Sequence, residues 1–442
     1  MLQKEELKAR VCKEIDNRKE ESISLAKAIL EKPEPGFREV NTSRLVTDKF
    51  TELAIPHRSG IALTGVKGSL DGGNPGPSVC VIGELDSLIV PDHPFADKVT
   101  GAAHACGHNV QIAMMYSVAA AIVKSGVLPS LTGRVVFIAV PAEEGLEIEY
   151  RYGLIKQGKL RYSTGKPEFI GLGEMDDVDI AIMTHTSPIL GEKKIAAVES
   201  NNGVIRKKAQ FIGKSAHAGS QPHKGINALN AAMIAFTAIN AQRETFQDAD
   251  TIRVHPIINK GGEVVNAVPA DVRLESYVRG KTAPALLDAN IKVDRALRAG
   301  AMAVGAKVNI TTIPGSRPLV PYPELWNAYK DNAVSIVKEE EIGNVGHTTG
   351  SSDIGDISQI MPTLQPVCGG ITGTPHGNDY LVKDYEIALI NPAKIMAMTV
   401  IDLLSDDAIR AKEVLSKSTP PMTKEQYVKS VDDLFIEEEY EG

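Results

Sequence analysis

The sequence predicts an α/β fold, a mostly parallel sheet flanked by helices, with a second α+β domain inserted into it. Three observations carry this. PSVCVIGELD (77–86), GRVVFIAVPAEE (133–144) and DVDIAIMTHT (177–186) are short, apolar and rich in β-branched residues, as strands buried on both faces are. NVQIAMMYSVAAAIVKSG (109–126), small and apolar at helical spacing, lies between the first two and gives a βαβ order. From about 200 to 312 the texture changes to half-polar strands and two helices, the pattern of a one-faced sheet.

The elements follow in order. Residues 1–30 are charged and helix-patterned, without the apolar core of a signal peptide. In the insert, VIRKKAQFIGK (204–214), RVHPIINKGG (253–262), DVRLESYVRG (271–280) and KVNITTIP (307–314) read as strands. NALNAAMIAFTAINAQ (227–242) and ALLDANIKVDRALRAGA (285–301) read as helices. After PGSRPLVPYPEL (314–325) the first domain resumes and carries two Gly-rich loops, TTGSSDIGDIS (348–358) and GGITGTPHGNDY (369–380). The first domain is therefore expected over 1–199 and 313–442, the insert over 200–312, and the acids of EEEYEG (437–442) as a solvated C-terminal tail.

A chain of 442 residues is too long for one compact core. Its net charge of −8, with signs interspersed, leaves no basic stripe and excludes nucleic acid as a partner. No run of 18 or more apolar residues occurs, so a cytoplasmic protein with no membrane partner is expected. Cys12, Cys80, Cys106 and Cys368 are too widely spaced for a disulfide framework, and their thiols are expected to be reduced.

Sites in open α/β sheets form at the carboxyl ends of strands, which brings Asp86, Glu143, Glu144 and His185 to one crevice. AHACGHN (103–109) adds a thiol and an imidazole. Cys106, His108, Glu144, His185 and His376 together are a donor set suited to zinc and its transition-metal neighbours. If Glu144 binds metal, Glu143 points elsewhere and can act as general base toward a metal-held water. Asp86 either orients a ligand or caps the following turn.

PEPGFRE (33–39), GELDSL, AHACGHN, PAEEG, MTHT, GKSAHAGSQPHKGINALNAA, GGEVVNAVPADVRLESYVRG, GSSDIGD and GTPHGND stand in the order found in the aminoacylase/carboxypeptidase superfamily of two-metal peptidases. Over about Pro33 to Asp379 the chain resembles the amidohydrolase branch of that superfamily, which includes hippurate hydrolase, indoleacetyl-amino-acid hydrolases and aminobenzoyl-glutamate hydrolase. The resemblance implies a catalytic domain with two divalent ions, zinc or manganese, and an inserted lid that makes a homodimer. It also implies hydrolysis of the amide bond of an N-acyl amino acid or short dipeptide bearing a free carboxylate.

By the same resemblance Cys106, His108, Glu144, His185 and His376 are the ligands and Glu143 the base. His217 polarises the scissile carbonyl, reaching the partner's active site, Asn266 contacts the tetrahedral intermediate, and Arg279 clamps the substrate carboxylate. An arginine fork also suits a planar carboxylate on geometric grounds. Asn109 stands where much of the branch has aspartate, and the segment Leu146–Asp176 is longer than usual and is expected to wall the pocket. His104 is expected behind the metals and His223 to fix the loop after His217. His57, His93, His255 and His347 are expected in loops or strands, and Cys12, Cys80 and Cys368 to pack. Two other readings are a cysteine amidase with Cys106 as nucleophile and a scaffold that has kept its metals but lost turnover. The intact Glu143 speaks against the scaffold.

Overall fold

The computed structural model describes residues 3–442. Its first sheet contains β1 (His57–Ile61), β2 (Gly65–Asp71), β3 (Asn74–Glu84), β4 (Thr132–Val140) and β5 (Ile180–Ile182). The spatial order is β1–β2–β4–β3–β5, followed by a short strand, Thr363–Leu364. β3 runs parallel to both β4 and β5, and Thr363–Leu364 runs parallel to β5. The antiparallel β1–β2 pair closes the other edge against β4. This is the mostly parallel sheet predicted, and its central strands are buried on both faces.

Helix α1 (His108–Lys124) joins β3 to β4 and is buried at every residue from His108 to Ile122. Its Ala-rich sequence lets it lie between the sheet and three outer helices, Lys4–Asn17, Lys19–Leu30 and Asn391–Leu404. The segment Glu386–Leu404 is long and apolar enough to cross a membrane by composition alone, but most of it is packed inside this core.

The second sheet contains β6 (Gly203–Ile212), β7 (Arg253–Lys260), β8 (Asp271–Gly280) and β9 (Lys307–Pro314), all antiparallel. Helices α2 (Ala228–Ala241) and α3 (Ala283–Met302) cover one face. Asn227 caps α2 by accepting from the Leu229 and Asn230 amides, and Thr282 caps α3 ahead of Pro284. The helices touch closely at Gly300, where a Cβ would lie 2.4 Å from the Ala231 carbonyl oxygen. Along β8, Val272, Leu274, Ser276 and Val278 are buried toward the helices. Glu275, Tyr277 and Arg279 alternate with them, and Tyr277 and Arg279 face the cavity described below.

The C-terminal residues correct one expectation. They are not a solvated tail: Ile436–Tyr440 forms β10, which pairs antiparallel with β9 and completes the order β7–β8–β6–β9–β10. The acids are held by distant cations, Arg298 on Glu438, Lys307 on Glu441 and Lys156 on Glu437. The chain thus enters the second domain a second time after leaving it at Pro314.

Candidate active site

The carboxyl ends of β3 and β4 and the start of α1 meet where the two domains face each other. Gly107, at φ +82°, turns the chain into α1, and a Cβ there would lie 2.0 Å from Thr186 Oγ1, so only glycine fits. The turn places Cys106 and His108 on either side of it. After β4, Ala142 at φ 55° and Gly145 at φ 63° make the turn that projects Glu143 and Glu144. His185 begins a short strand, His185–Thr186, and His376, at φ 61°, lies in the loop between the short strands Ile371–Thr372 and Leu381–Val382.

The ligand atoms of Cys106, His108 and His185 all lie within 4.8 Å of one another, and so do those of Cys106, Glu144 and His376. Cys106 Sγ is 3.4 Å from His185 Nε2. His108 Nε2 and His376 Nε2 lie 3.9 and 3.8 Å from Glu144 Oε1. The rings are oriented from behind. His108 Nδ1 donates to the Asp86 carbonyl at 2.9 Å and His185 Nδ1 to the Thr186 carbonyl at 2.7 Å, which leaves each Nε2 for the cluster. Asp86 accepts from the Glu144 amide at 3.1 Å and lies 3.3 Å from His108 Nδ1, so it orients two members of the cluster.

A metal pair fits these residues. His108 Nε2 and Glu144 Oε1 are buried polar atoms with no hydrogen-bond partner. Burial, and then the Glu143 carboxylate, push Glu144 up to about 8. Burial and Glu144 push the Cys106 thiol well above its ordinary value. Two adjacent carboxylates and a thiol can all be anionic there only beside a cation, and thiolate, imidazole and carboxylate are the donors such a cation takes.

The geometry adds two residues to the predicted set. Glu84, the last residue of β3, lies with Oε2 3.1 Å from His108 Nε2 and forms a third cluster with His108 and Glu143. Lys166, with no solvent access, donates to Glu84 Oε1 at 2.5 Å and to Asp353. Burial would lower the lysine's pKa, but the Asp353 and Glu84 carboxylates more than offset it and push it up. Glu143 is buried without a hydrogen bond to the protein, and its carboxyl is raised by burial and by Glu84 against the pull of Lys166.

Lys166 and Arg151 explain the long segment Leu146–Asp176. None of its residues lines the cavity, contrary to expectation. It braces the site from behind: the Arg151 guanidinium donates to the carbonyls of Ala142, Leu146 and Ser163 around the Glu143 turn. Asn109 is likewise outside the cluster, and its side chain donates to the Ala26 carbonyl. His104 is buried beside the cluster with both ring nitrogens unpartnered, and burial and His108 push it down to about 3.

A cavity of about 600 Å³ opens from Cys106, Glu143, Glu144, His185 and His376 to the second domain, where Arg279 lines it. His217 and Asn266 do not. Both are exposed on the second domain, joined by the Ala218 amide donating to the Asn266 carbonyl at 2.9 Å. His217 Nδ1 accepts from the Gly219 and Ser220 amides, which leaves Nε2–H as a fixed outward donor.

The sequence model of peptidase family M20/M25/M40 matches residues 80–399. A human Xaa-Arg dipeptidase is 29% identical over 325 residues, covering 70% of this chain and 68% of the relative. An IAA-amino acid hydrolase ILR1-like 2 of Arabidopsis thaliana is 24% identical over 353 residues, covering 77% and 74%. Among solved structures, an aminobenzoyl-glutamate utilization protein from Klebsiella pneumoniae superposes with a TM-score of 0.67 at 17% identity, covering 88% of this chain and 97% of its own. A dinuclear metal-binding M20 peptidase from Bacillus subtilis superposes at 0.61 with 21% identity, covering 87% and 98%.

Proposed function

This chain belongs to peptidase family M20/M25/M40 and is a metal-dependent hydrolase with two divalent ions, and we propose that it cleaves the amide bond of an N-acyl amino acid or short dipeptide with a free carboxylate. The observation that carries the reading is the single cavity that has the Cys106–His108–Glu144–His185–His376 cluster at one end and Arg279 at the other. The ions, when bound, supply Lewis acidity that makes water a nucleophile near neutral pH. Cys106, His108, Glu144, His185 and His376 would hold them, with Asp86 orienting His108 and Glu144. Glu143 takes the proton of the attacking water and returns it to the leaving amine. Arg279 binds the substrate's carboxylate, and His217 and Asn266 serve the scissile carbonyl and the tetrahedral intermediate.

The thiolate and imidazole donors favour zinc, with manganese the second choice. A homodimer through the second domain is part of the reading, with His217 and Asn266 acting in the partner's cavity. Its support is the position of those two residues outside their own cavity, and the edge strand β7, where Ile257 and Ile258 are exposed along with Val264 and Val265 just beyond it. A cytoplasmic location is proposed from the four free thiols. Cys106 as nucleophile is disfavoured, because burial and Glu144 keep its thiol protonated unless a metal is present.

The test is a screen of zinc- or manganese-loaded protein against acyl-amino acids, aminobenzoyl-glutamate and dipeptides. Turnover should vanish on chelation. Glu143→Gln should keep both metals yet lose about 10²–10⁴-fold in kcat, the usual worth of a general acid–base group. Near-normal kcat in that variant would remove Glu143 from the mechanism.

A further inference from the structure

The register of β7 and β8 sets Arg253 directly opposite Arg279, and both side chains line the cavity. Like charges at directly opposed positions of an antiparallel pair destabilise it. Elsewhere on the same two strands the cations are compensated, since Lys260 and Arg273 share Asp271. Among the described residues, neither Arg253 nor Arg279 has a carboxylate within ion-pair distance. The Arg253 side chain donates one hydrogen bond, from Nη1 to the Ile252 carbonyl at 3.0 Å.

Arg279 is held differently. Its Nε donates to His255 Nε2 at 3.3 Å, and its guanidinium lies over the Tyr277 ring, 5.3 Å from the centroid. The His255 ring stands edge-on to the same tyrosine at 5.4 Å. Tyr277 is fixed in turn, its hydroxyl donating to the Gly145 carbonyl at 2.9 Å, just beyond Glu144. The Arg243 guanidinium secures β7 from behind by donating to the Val254 carbonyl at 3.0 Å. With Nε occupied, only the two Nη groups of Arg279 remain, and nothing in the protein takes them up. Burial pulls this guanidinium below its ordinary pKa, against the more distant raising pull of Tyr277, Glu144 and Glu143.

We propose that Arg253 and Arg279 together form the cavity's carboxylate-binding site, with His255 as the positioning residue that holds Arg279 by Nε and leaves both its Nη groups to the ligand. This rests on the functional reading above and deepens it. The substrate carboxylate becomes the missing charge between two opposed guanidiniums, and a neutral C-terminal amide leaves both uncompensated. His255 performs this role only as the neutral tautomer that carries its proton on Nδ1.

The experiment measures binding of N-acetylglycine and of its amide, N-acetylglycinamide, to metal-loaded protein in a Glu143→Gln background, so that no turnover intervenes. The acid should bind at least tenfold more tightly than the amide. Arg253→Ala and Arg279→Ala should each weaken the acid about tenfold and leave the amide unchanged. His255→Phe keeps a ring against Tyr277 but removes the acceptor, and should weaken the acid several-fold. His255→Gln, which restores an acceptor, should recover most of the loss. Acid affinity unchanged in Arg253→Ala, equal losses for acid and amide, or no preference for the acid in the parent protein would each overturn the proposal. Selective acid binding in a protein whose native Glu143 form cleaves no amide substrate would instead overturn the functional reading and leave the arginine pair standing.

Discussion

A lysine with no access to solvent has to be matched by carboxylates, and Lys166 is held between Glu84 and Asp353. Removing one member of a buried charge network leaves the others uncompensated, so Lys166→Met should destabilise the protein by about 3–5 kcal/mol, measured by denaturant unfolding. A loss below about 1 kcal/mol would mean that Glu84 and Asp353 take up protons at little cost. The convergence of Cys106, His108, Glu144 and His185 was legible in sequence because each follows a strand or opens a helix, where α/β folds place their sites; His376 stands in the loop of the GTPHGND motif. Lys166 was not. It lies in a stretch without marked periodicity, and its partners are 82 and 187 residues away. Glu84 carried a readable signal: it ends the same strand that presents Asp86 two residues later.

At the scale of elements, the strands of the inserted domain announce themselves because burial on one face alternates strictly, as the pattern along β8 shows. β10 was misread for a physical reason. Three consecutive glutamates in Ile436–Tyr440, and Glu441 after them, look solvated until Arg298, Lys307 and Lys156 are brought to them, and that happens only through tertiary folding. Deleting residues 435–442 would bare the outer edge of β9 and strand those cations. The truncated protein should still bind two equivalents of metal but self-associate through β9, seen as larger species in size-exclusion chromatography at raised concentration. A truncated form that elutes like the full chain would mean that β10 is dispensable edge cover.

For the whole molecule, the decisive feature is that Glu143 and His217 do not share a cavity within one chain. If the dimer proposed above forms, each site combines Glu143 of one subunit with the partner's contribution at position 217. Inactive Glu143→Ala and His217→Ala proteins, mixed with subunits free to exchange, should then recover roughly a quarter of wild-type activity. Half the random dimers are mixed, and each of these has one intact site of two. No recovery, with exchange verified independently, would leave His217 acting in its own subunit after a movement of the second domain. The return of the chain to that domain at β10 also bears on how the protein is made. The strand that covers β9, Ile436–Tyr440, lies well downstream of β9 in the chain, so β6, β7, β8 and β9 are synthesised well before their sheet can be completed. Between the synthesis of β9 and that of β10 the nascent protein presents a naked strand border to its neighbours on the polysome.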